Sequence, residues 1–220
     1  MTNTISIFYI HTSEVLEVDL FQQLLLQLPN KFKNEIIAYK HQKSAQNSLI
    51  GKLLLKYGFK KLALEYTLHD IQIGHKDRPY INDKIDFNIA HSGEYVIGAI
   101  AQNSRVGIDI EKHRNIKVDL FTKYFNEEEW YEIQSANSKE DAFFNLWTIK
   151  ESAIKYDGRG VEMLSKTHKI YNNNNLQLVI CDNKIVNYLK IDIAANYDCC
   201  VCSDININVS IKELTVTDLL

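Results

Sequence analysis

Two acid-bearing segments about forty residues apart constrain this chain more than any other feature. They are residues 106–111 (VGIDIE) and residues 147–155 (WTIKESAIK). The first alternates like a strand, and residues two apart on a strand share a face. Asp109 and Glu111 therefore point one way, while the two isoleucines point into a core. Alone, this pattern would also suit an edge strand whose acids face water.

The second segment has helical spacing. Trp147, Glu151 and Lys155 fall at i, i+4 and i+8, along one stripe of a helix. An anchoring tryptophan followed by a surface Glu–Lys pair would explain that stripe by itself. Together, however, the segments supply three carboxylates, and Mg²⁺ is usually bound by one or two carboxylates plus waters and phosphate oxygens. With a lysine that could hold a phosphate, they predict magnesium-assisted chemistry on a phosphate ester.

Length and charge narrow the class of protein. The 220 residues suit one large domain or two small ones that share a core. The formal net charge of −3 argues against broad nucleic-acid binding, which needs a basic footprint. Residues 1–10 show no signal peptide, and no stretch approaches the roughly 20 apolar residues of a membrane span. We therefore expect a cytoplasmic protein with no nucleic-acid or membrane partner.

The pattern of apolar residues predicts an α+β fold. Predicted strands cover residues 4–10, 87–92, 95–101, 105–111, 176–180, 187–193 and 199–202. The second and third predict a hairpin with Gly93 in its turn. Predicted helices cover residues 18–28, 31–58, 117–135 and 139–156. Gly58 closes the second, whose apolar face carries Leu49, Leu53 and Leu54, and residues 157–160 end the fourth. Residues 172–175 predict an exposed loop. A division near residues 101–105 leaves two halves of similar length, 1–103 and 104–220. Because no flexible linker separates them, we expect the halves to share an interface.

The cysteines could suggest a metal site of another kind. Cys199 and Cys202 form a C-x-x-C. A structural zinc site would need a second cysteine pair or nearby histidines, and the sequence offers neither. The segment 198–202 is better explained as a buried strand in which cysteine acts as a small apolar residue.

At the two acid-bearing segments the chain resembles the 4′-phosphopantetheinyl transferase superfamily, in its surfactin-synthetase-activating type. That family carries G-[IV]-D-[IV]-E and, about forty residues later, W-x-x-K-E-[AS]-x-x-K, and this chain meets every fixed position. Three shorter matches accompany them: Phe87–Ser92 for F-N-x-S-H-S, Arg78-Pro79 for a basic residue and proline, and Gly158–Gly160 for G-[KR]-G. The resemblance covers nearly the whole chain, in the family's order and spacing.

The resemblance implies a fold and an activity. The fold would be two similar α/β halves related by a pseudo-twofold axis, with the active site between them. The activity would be Mg²⁺-dependent transfer of 4′-phosphopantetheine from coenzyme A to a serine of an acyl or peptidyl carrier protein, releasing adenosine 3′,5′-bisphosphate. The length suits the monomeric branch of the family. The residues leave two alternatives open: a magnesium-dependent phosphohydrolase of coenzyme A-like substrates, and a non-catalytic homologue that binds coenzyme A or the carrier.

The resemblance also implies residue roles. Asp109, Glu111 and Glu151 would ligate the magnesium ion, and Glu151 would help to deprotonate the carrier serine. Lys155 would contact the phosphate whose bond is broken and would stabilise the leaving group. The residues implied in coenzyme A binding are Lys31, Ser48, Arg78, Pro79, His91, Ser92 and Lys155. From the residues alone, His91 could equally be a hairpin histidine satisfied by hydrogen bonds to the backbone.

Four positions depart from the family pattern. Ala90 replaces the first serine of F-N-x-S-H-S, and Asn47 stands where many members have an arginine. Asp77 stands where the family often has glycine, and Arg78 replaces the lysine that follows, which keeps the charge but not the shape. These changes bear on coenzyme A affinity more than on the chemistry. For the carrier, residues 121–125 are a candidate docking segment by position, and packing of these aromatics on the core is the alternative. We expect Lys123 to contribute to docking, because the carriers of this family are acidic.

Overall fold

The structure, a computed structural model, describes residues 4–171 and 177–220. The predicted loop at 172–175 and the first residue of the predicted strand 176–180 lie outside them. The helices are α1 Val18–Leu26, α2 Asn30–Ile37, α3 Gln42–Lys61, α4 Glu127–Ser135 and α5 Lys139–Asp157. The strands are β1 Thr4–His11, β2 Gln72–Ile73, β3 Pro79–Tyr80, β4 Ile85–Ser92, β5 Tyr95–Gln102, β6 Val106–Lys112, β7 Thr167–Ile170, β8 Leu178–Cys181, β9 Lys184–Lys190, β10 Tyr197–Ser203 and β11 Asn208–Leu214. Short 3-10 helices cover His75–Asp77, Val118–Tyr124, Val161–Lys166 and Val216–Leu219.

Two larger sheets organise the strands. One has the order β11-β1-β5-β4, and the other has the order β6-β10-β9-β8-β7. Strand β11 pairs in parallel with β1, so the last strand described completes the sheet that the first strand began. The α+β class is thereby confirmed. The division at residues 103/104 and the pseudo-twofold relation of the halves stay predictions.

A long helix covers each sheet. Helix α3 packs on β1, β4 and β5 and buries Leu49, Leu53 and Leu54, as its apolar face predicted. Helix α5 packs on β6 and β10. A second apolar layer, which includes Ile108 and Ile110 of β6, lies between the two sheets. In the part of the chain that the structure describes, no helix has both the length and the apolar content to cross a membrane.

The single helix predicted at 31–58 is wrong, because the chain forms two helices there. Helix α2 ends at Ile37, and His41 takes an extended conformation before α3 begins. Gly58 does not close α3 but lies inside it. An ideal Cβ at Gly58 would lie 2.3 Å from Ile100 Cδ1 and 2.9 Å from Phe8 Cε2. The glycine therefore lets the helix approach the sheet and does not end it.

The helix predicted at 117–135 is also interrupted. A 3-10 helix, Val118–Tyr124, precedes α4. Asn126 starts α4 with a capping box: its Oδ1 accepts from Glu129 N at 2.8 Å, and Glu129 Oε2 accepts from Asn126 N at 3.1 Å. The pattern missed this start, and it missed strands β7 and β11.

Other predictions are confirmed. The hairpin turns at Gly93, whose φ is +55°, and α5 ends at Gly158, whose φ is +84°. Strand β10 buries Cys199 and Cys202, and the cysteines at 181, 199, 200 and 202 are free thiols. The segment is therefore a buried strand, as predicted from the missing second ligand pair.

Helix α5 crosses strand β6 so closely that only glycine fits at the crossing. An ideal Cβ on Gly107 would lie 2.1 Å from the carbonyl oxygen of Ser152 and 2.3 Å from the amide nitrogen of Tyr156. These atoms belong to the helix backbone, which cannot move aside as a side chain can. The crossing therefore fixes the separation between the strand that carries Asp109 and the helix that carries Glu151.

We expect Gly107→Ala to lower the free energy of unfolding by about 3 kcal/mol or more, because the added methyl group must displace helix backbone. Gly98→Ala is the matched control: its Cβ would meet Leu54 Cβ at 3.7 Å, an ordinary contact. That control should stay within about 1 kcal/mol of the wild type. Urea unfolding followed by circular dichroism measures both. Equal stability of the two variants would contradict a crossing that depends on Gly107.

Candidate active site

The candidate site lies where the edge strands of the two sheets run side by side. Strand β4 ends one sheet and β6 ends the other. Side chains of β4 accept hydrogen bonds from backbone amides of β6: Asp86 Oδ2 from Val106 N at 2.8 Å, and Asn88 Oδ1 from Ile108 N at 3.0 Å. Ser92 Oγ accepts from Lys112 N at 3.0 Å. We call these three contacts the β4–β6 ladder.

Four side chains of the two predicted motifs converge beside this ladder. Asp109 is only 5% exposed, and its Oδ1 lies 2.6 Å from Lys155 Nζ of helix α5. The Lys155 side chain keeps 29% of its surface exposed, so a ligand can still reach it. Glu111 is partly buried and accepts from Ser92 Oγ and from Arg114 Nη1, both at 3.0 Å. Arg114 was not among the predicted residues.

The electrostatics show that these groups share one desolvated region. Burial raises the pKa of Asp109 to about 6, with a further contribution from Glu111, although Lys155 opposes the shift. Burial also raises the pKa of Glu151 to about 7, and both Asp109 and Glu111 add to that shift. For Lys155, burial acts to lower the pKa, but the three neighbouring carboxylates outweigh it and the pKa is raised. The carboxylates are therefore close enough to affect one another's charge.

Asp109 offers a free oxygen to a divalent cation, but the neighbouring side chains must rearrange before they can bind one. Asp109 Oδ2 is buried and has no hydrogen-bond partner among the described residues, which is costly for a carboxylate unless a ligand completes it. Yet within residues 4–171 and 177–220, no three His, Cys, Asp or Glu side chains are already arranged to hold a metal ion. Instead, Lys155 neutralises Asp109, and Asp109 and Glu111 disfavour the charged form of Glu151. A cation would have to take over that neutralising contact.

The two polar residues at the end of β4 lie beside this cluster. Ser92 bonds to Glu111 and to the backbone of Lys112. His91 has an exposed side chain, and its pKa is lowered, first by partial desolvation and then by the charge of Lys155. In the protein by itself, His91 is therefore held toward its neutral form. Glu111 acts in the opposite direction.

The other predicted coenzyme residues are held by other parts of the fold. Lys31 Nζ donates to the carbonyl oxygens of His69, at 3.4 Å, and Ile71. Ser48 Oγ accepts from Lys52 Nζ at 3.0 Å. Ser48 Oγ also donates to Glu35 Oε1 at 3.5 Å. Among the described residues, no hydrogen bond or ion pair connects Lys31 or Ser48 to Asp109, Glu111 or Glu151.

Arg78 and Pro79 lie on the segment that leads into β4. Pro79 is in β3, opposite Ile73. Arg78 reaches the cluster indirectly, because its Nη1 donates to the backbone carbonyl oxygen of Lys155. The preceding residue, Asp77, has a φ of +59°, in the left-handed region that favours glycine and tolerates aspartate. That explains how aspartate can stand where the family often has glycine.

A buried ion pair that the sequence reasoning missed fixes the other face of α5. Lys150 and Glu129 are both 0% exposed, and Lys150 Nζ lies 2.9 Å from Glu129 Oε2. This pair holds α5 to α4. On the stripe that carries Glu151 and Lys155, Trp147 lies against Phe121 of the preceding 3-10 helix, with ring centroids 5.4 Å apart. The sequence signal for this ion pair was the position of Lys150 among the apolar residues of the predicted helix.

Comparison with known proteins places this arrangement in a family. The family model described as the 4′-phosphopantetheinyl transferase superfamily matches residues 105–202, and one described as 4′-phosphopantetheinyl transferase, N-terminal, matches residues 17–103. The 4′-phosphopantetheinyl transferase gsp of Aneurinibacillus migulanus is 30% identical over 98% of this chain and 93% of its own length. The chain belongs to the 4′-phosphopantetheinyl transferase superfamily.

Further relatives in the superfamily agree. The 4′-phosphopantetheinyl transferase Sfp of Bacillus subtilis strain 168 is 29% identical over 74% of this chain and 76% of its own length. The 4′-phosphopantetheinyl transferase psf-1 of Bacillus pumilus is 28% identical over 72% of this chain and 71% of its own length. The resemblance inferred from the motifs is thus confirmed at the level of the superfamily. The roles of individual residues stay predictions.

We expect the carboxylates to make stability depend on pH in the absence of metal. A carboxyl whose pKa is raised by folding favours the folded state at low pH, fully below about pH 4, and that advantage is lost as pH rises through 6 to 7. Glu151→Gln stays neutral at every pH. Its unfolding free energy should therefore gain on the wild type by about 1–3 kcal/mol between pH 5 and pH 8.

Urea unfolding in the presence of EDTA at both pH values measures this gain. Glu65→Gln, which changes an exposed glutamate in the loop after α3, serves as the control and should run parallel to the wild type. A difference between Glu151→Gln and the wild type that does not change with pH would show that Glu151 is not desolvated.

Proposed function

We propose that this protein transfers 4′-phosphopantetheine from coenzyme A to a serine hydroxyl of an acyl or peptidyl carrier protein and releases adenosine 3′,5′-bisphosphate. The observation that carries the proposal is the convergence of Asp109, Glu111, Glu151 and Lys155 in a member of this superfamily. The relatives are named as 4′-phosphopantetheinyl transferases, which supports the same reaction class for this chain.

Asp109, Glu111 and Glu151 would hold the magnesium ion. The free, buried Oδ2 of Asp109 supports this, because it offers an acceptor that the described residues leave unused. When bound, Mg²⁺ would neutralise charge on the pyrophosphate of coenzyme A. Release of Lys155 from Asp109 would then leave its ammonium group for the phosphate.

The side chains of the protein would act on the reacting atoms as follows. The serine oxygen of the carrier forms a bond to the phosphorus that carries pantetheine, and the bond from that phosphorus to the bridging oxygen breaks. The bridging oxygen leaves with the adenosine bisphosphate, and Lys155 offsets its negative charge. Glu151 accepts the serine proton, directly or through water. Its pKa of about 7 is that of the metal-free protein, and a bound cation would favour the carboxylate, the form that accepts a proton.

Five further residues are proposed to bind coenzyme A: Lys31, Ser48, Pro79, His91 and Ser92. The resemblance also implies Arg78, but its guanidinium donates to three acceptors of the protein itself, which favours a different role. His91 has a lowered pKa in the protein by itself, and a neighbouring phosphate would raise it. Binding of the 3′-phosphate should therefore favour the charged imidazolium, which can donate from both ring nitrogens.

We expect a carrier protein incubated with the wild type, coenzyme A and Mg²⁺ to gain the mass of one phosphopantetheinyl group. Glu151→Gln should lower the transfer rate at least 100-fold, because it removes both a proposed metal ligand and the proton acceptor. EDTA should stop the wild-type reaction, and added Mg²⁺ should restore it.

Intact-protein mass spectrometry measures the gain, and Glu65→Gln is the control that should remain active. Release of free phosphopantetheine without modified carrier would instead identify a hydrolase. Binding of coenzyme A with no turnover would identify a non-catalytic homologue. Full activity of Glu151→Gln would refute the assigned site.

Residues 121–125, the segment proposed for carrier docking, pack partly on the core and leave neighbouring side chains exposed to a partner. Phe121 packs inward, with ring centroids 5.0 Å from Phe143 and 5.4 Å from Trp147. Leu120 points outward and is 71% exposed, and the nearby Lys117 and Lys123 are exposed too. Asp119, next to Leu120, is exposed as well, so the two lysines leave this surface with a net positive charge, which suits an acidic partner.

We expect Lys123→Glu to lower kcat/KM for the carrier about tenfold or more while the affinity for coenzyme A changes little, since reversing a charge at an interface costs association with an acidic partner. Lys61→Glu makes the same charge change on the exposed side of α3 and is the matched control. Transfer kinetics with varied carrier, together with calorimetry for coenzyme A, separate the two effects. Equal carrier kinetics for both variants would remove the docking assignment.

We also propose that the protein acts in the cytoplasm as a monomer. Four buried free thiols suit a reducing compartment, where disulfides are rare. The monomer is supported by chain length, since the branch of the family that assembles into trimers is shorter.

A further inference from the structure

The β4–β6 ladder sets how the two sheets face each other at the candidate site. Its contacts join Asp86 to Val106, Asn88 to Ile108 and Ser92 to Lys112, at a constant offset of 20 along the chain. Strand β4 ends in His91 and Ser92, and β6 carries the two strand carboxylates. The register of the ladder therefore decides which β4 residue stands beside which carboxylate.

Arg78 closes the ladder at the end opposite Ser92. Its Nη2 donates to Asp86 Oδ2 at 2.6 Å and to the carbonyl oxygen of Val106 at 3.2 Å. Its Nη1 donates to the carbonyl oxygen of Lys155. One guanidinium thus contacts β4, β6 and the last turn of α5, and its side chain is only 12% exposed.

The chemistry of this junction suits arginine in particular. A guanidinium presents several N–H donors in a rigid plane, whereas a lysine ammonium is a compact point charge on a flexible stem. The end of α5 also leaves room for the arginine: an ideal Cβ on Gly158 would lie 2.7 Å from Arg78 Cδ. Asp86 completes the junction because its carboxylate accepts from both Arg78 and the amide of Val106.

We propose that Arg78 and Asp86 are positioning residues for the transfer reaction. They hold the last turn of α5 against β4 and β6, and thereby keep Lys155 beside Asp109. The consequence for catalysis follows from distance: Lys155 Nζ lies 2.6 Å from Asp109 Oδ1, and a displacement of about 1 Å in such a site can cost about 100-fold in rate. This inference rests on the proposed function.

A positioning role differs measurably from direct binding of coenzyme A by Arg78. A residue that binds the coenzyme equally in the ground state and the transition state raises KM when it is removed and leaves kcat unchanged. A residue that places Lys155 lowers kcat and leaves KM for coenzyme A nearly unchanged. The three protein acceptors of the guanidinium favour the second behaviour.

The kinetic experiment compares Arg78→Lys, Arg78→Ala and Asp86→Asn with Asp83→Asn. Asp83 is an exposed aspartate that lines the same cavity as Arg78 and Asp86. We expect the first three to lower kcat about 10- to 100-fold with KM for coenzyme A within about threefold, and the control to match the wild type. Added guanidinium ion at non-denaturing concentration should restore part of the kcat of Arg78→Ala and none of the activity of Glu151→Gln. Raised KM with unchanged kcat would overturn the proposal.

A second measurement needs no activity. Hydrogen exchange followed by mass spectrometry, on the free protein, should show faster exchange for Arg78→Lys and Asp86→Asn in peptides from β6 and the last turn of α5. Asp83→Asn should exchange like the wild type. Unchanged exchange in all variants would refute the positioning role, even if the wild type proved unable to modify a carrier. A wild type that fails to transfer while the exchange changes as expected would refute the proposed function alone.

Discussion

The close crossing of helix α5 over strand β6 at Gly107 is the constraint on which the rest of the structure depends. With the helix backbone within 2.3 Å of where a Cβ would stand, strand and helix form one unit. Asp109 lies two residues beyond the crossing on the strand, and Lys155 lies on the turn of the helix that faces it. Another side of α5 is held by the buried Lys150–Glu129 pair. The acidic cluster is thus placed by backbone contact and by an ion pair that takes no part in the chemistry.

Burying the carboxyl groups of Asp109 and Glu151 together has an electrostatic cost that apolar side chains at these positions would avoid. Two desolvated carboxyls with raised pKa values lie side by side, and one oxygen of Asp109 has no hydrogen-bond partner among the described residues. Lys155 offsets only part of this charge. Groups whose environment disfavours their charged form are typical of functional sites, because such groups gain most when a charged ligand arrives. The instability of the cluster by itself is therefore consistent with a site that binds a cation and a phosphate.

Local patterns in the sequence predicted the strand and the helix that carry the candidate site. Features that depend on contacts between distant parts of the chain were not predicted. Strand β6, helix α5 and the turn at Gly93 follow from periodicity and glycine positions. The break between α2 and α3 did not, because residues 38–41 contain no glycine or proline to mark it. The parallel pairing of β11 with β1 joins residues about two hundred positions apart, and no local signal specifies it. Lys150 likewise has its partner, Glu129, on another helix.

The β4–β6 ladder shows why the site opens between the two sheets. Backbone-paired strands lie about 4.8 Å apart, and such pairing would close this edge. Here the side chains of β4, and not its backbone, accept hydrogen bonds from the amides of β6, so the two strands must lie further apart. At Ala90, which has the same offset from Ile110, the side chain can accept no hydrogen bond, and both residues pack in the apolar layer between the sheets. The interface thus combines polar contacts at its two ends with an apolar centre, and the end at Ser92 is the one beside the carboxylates.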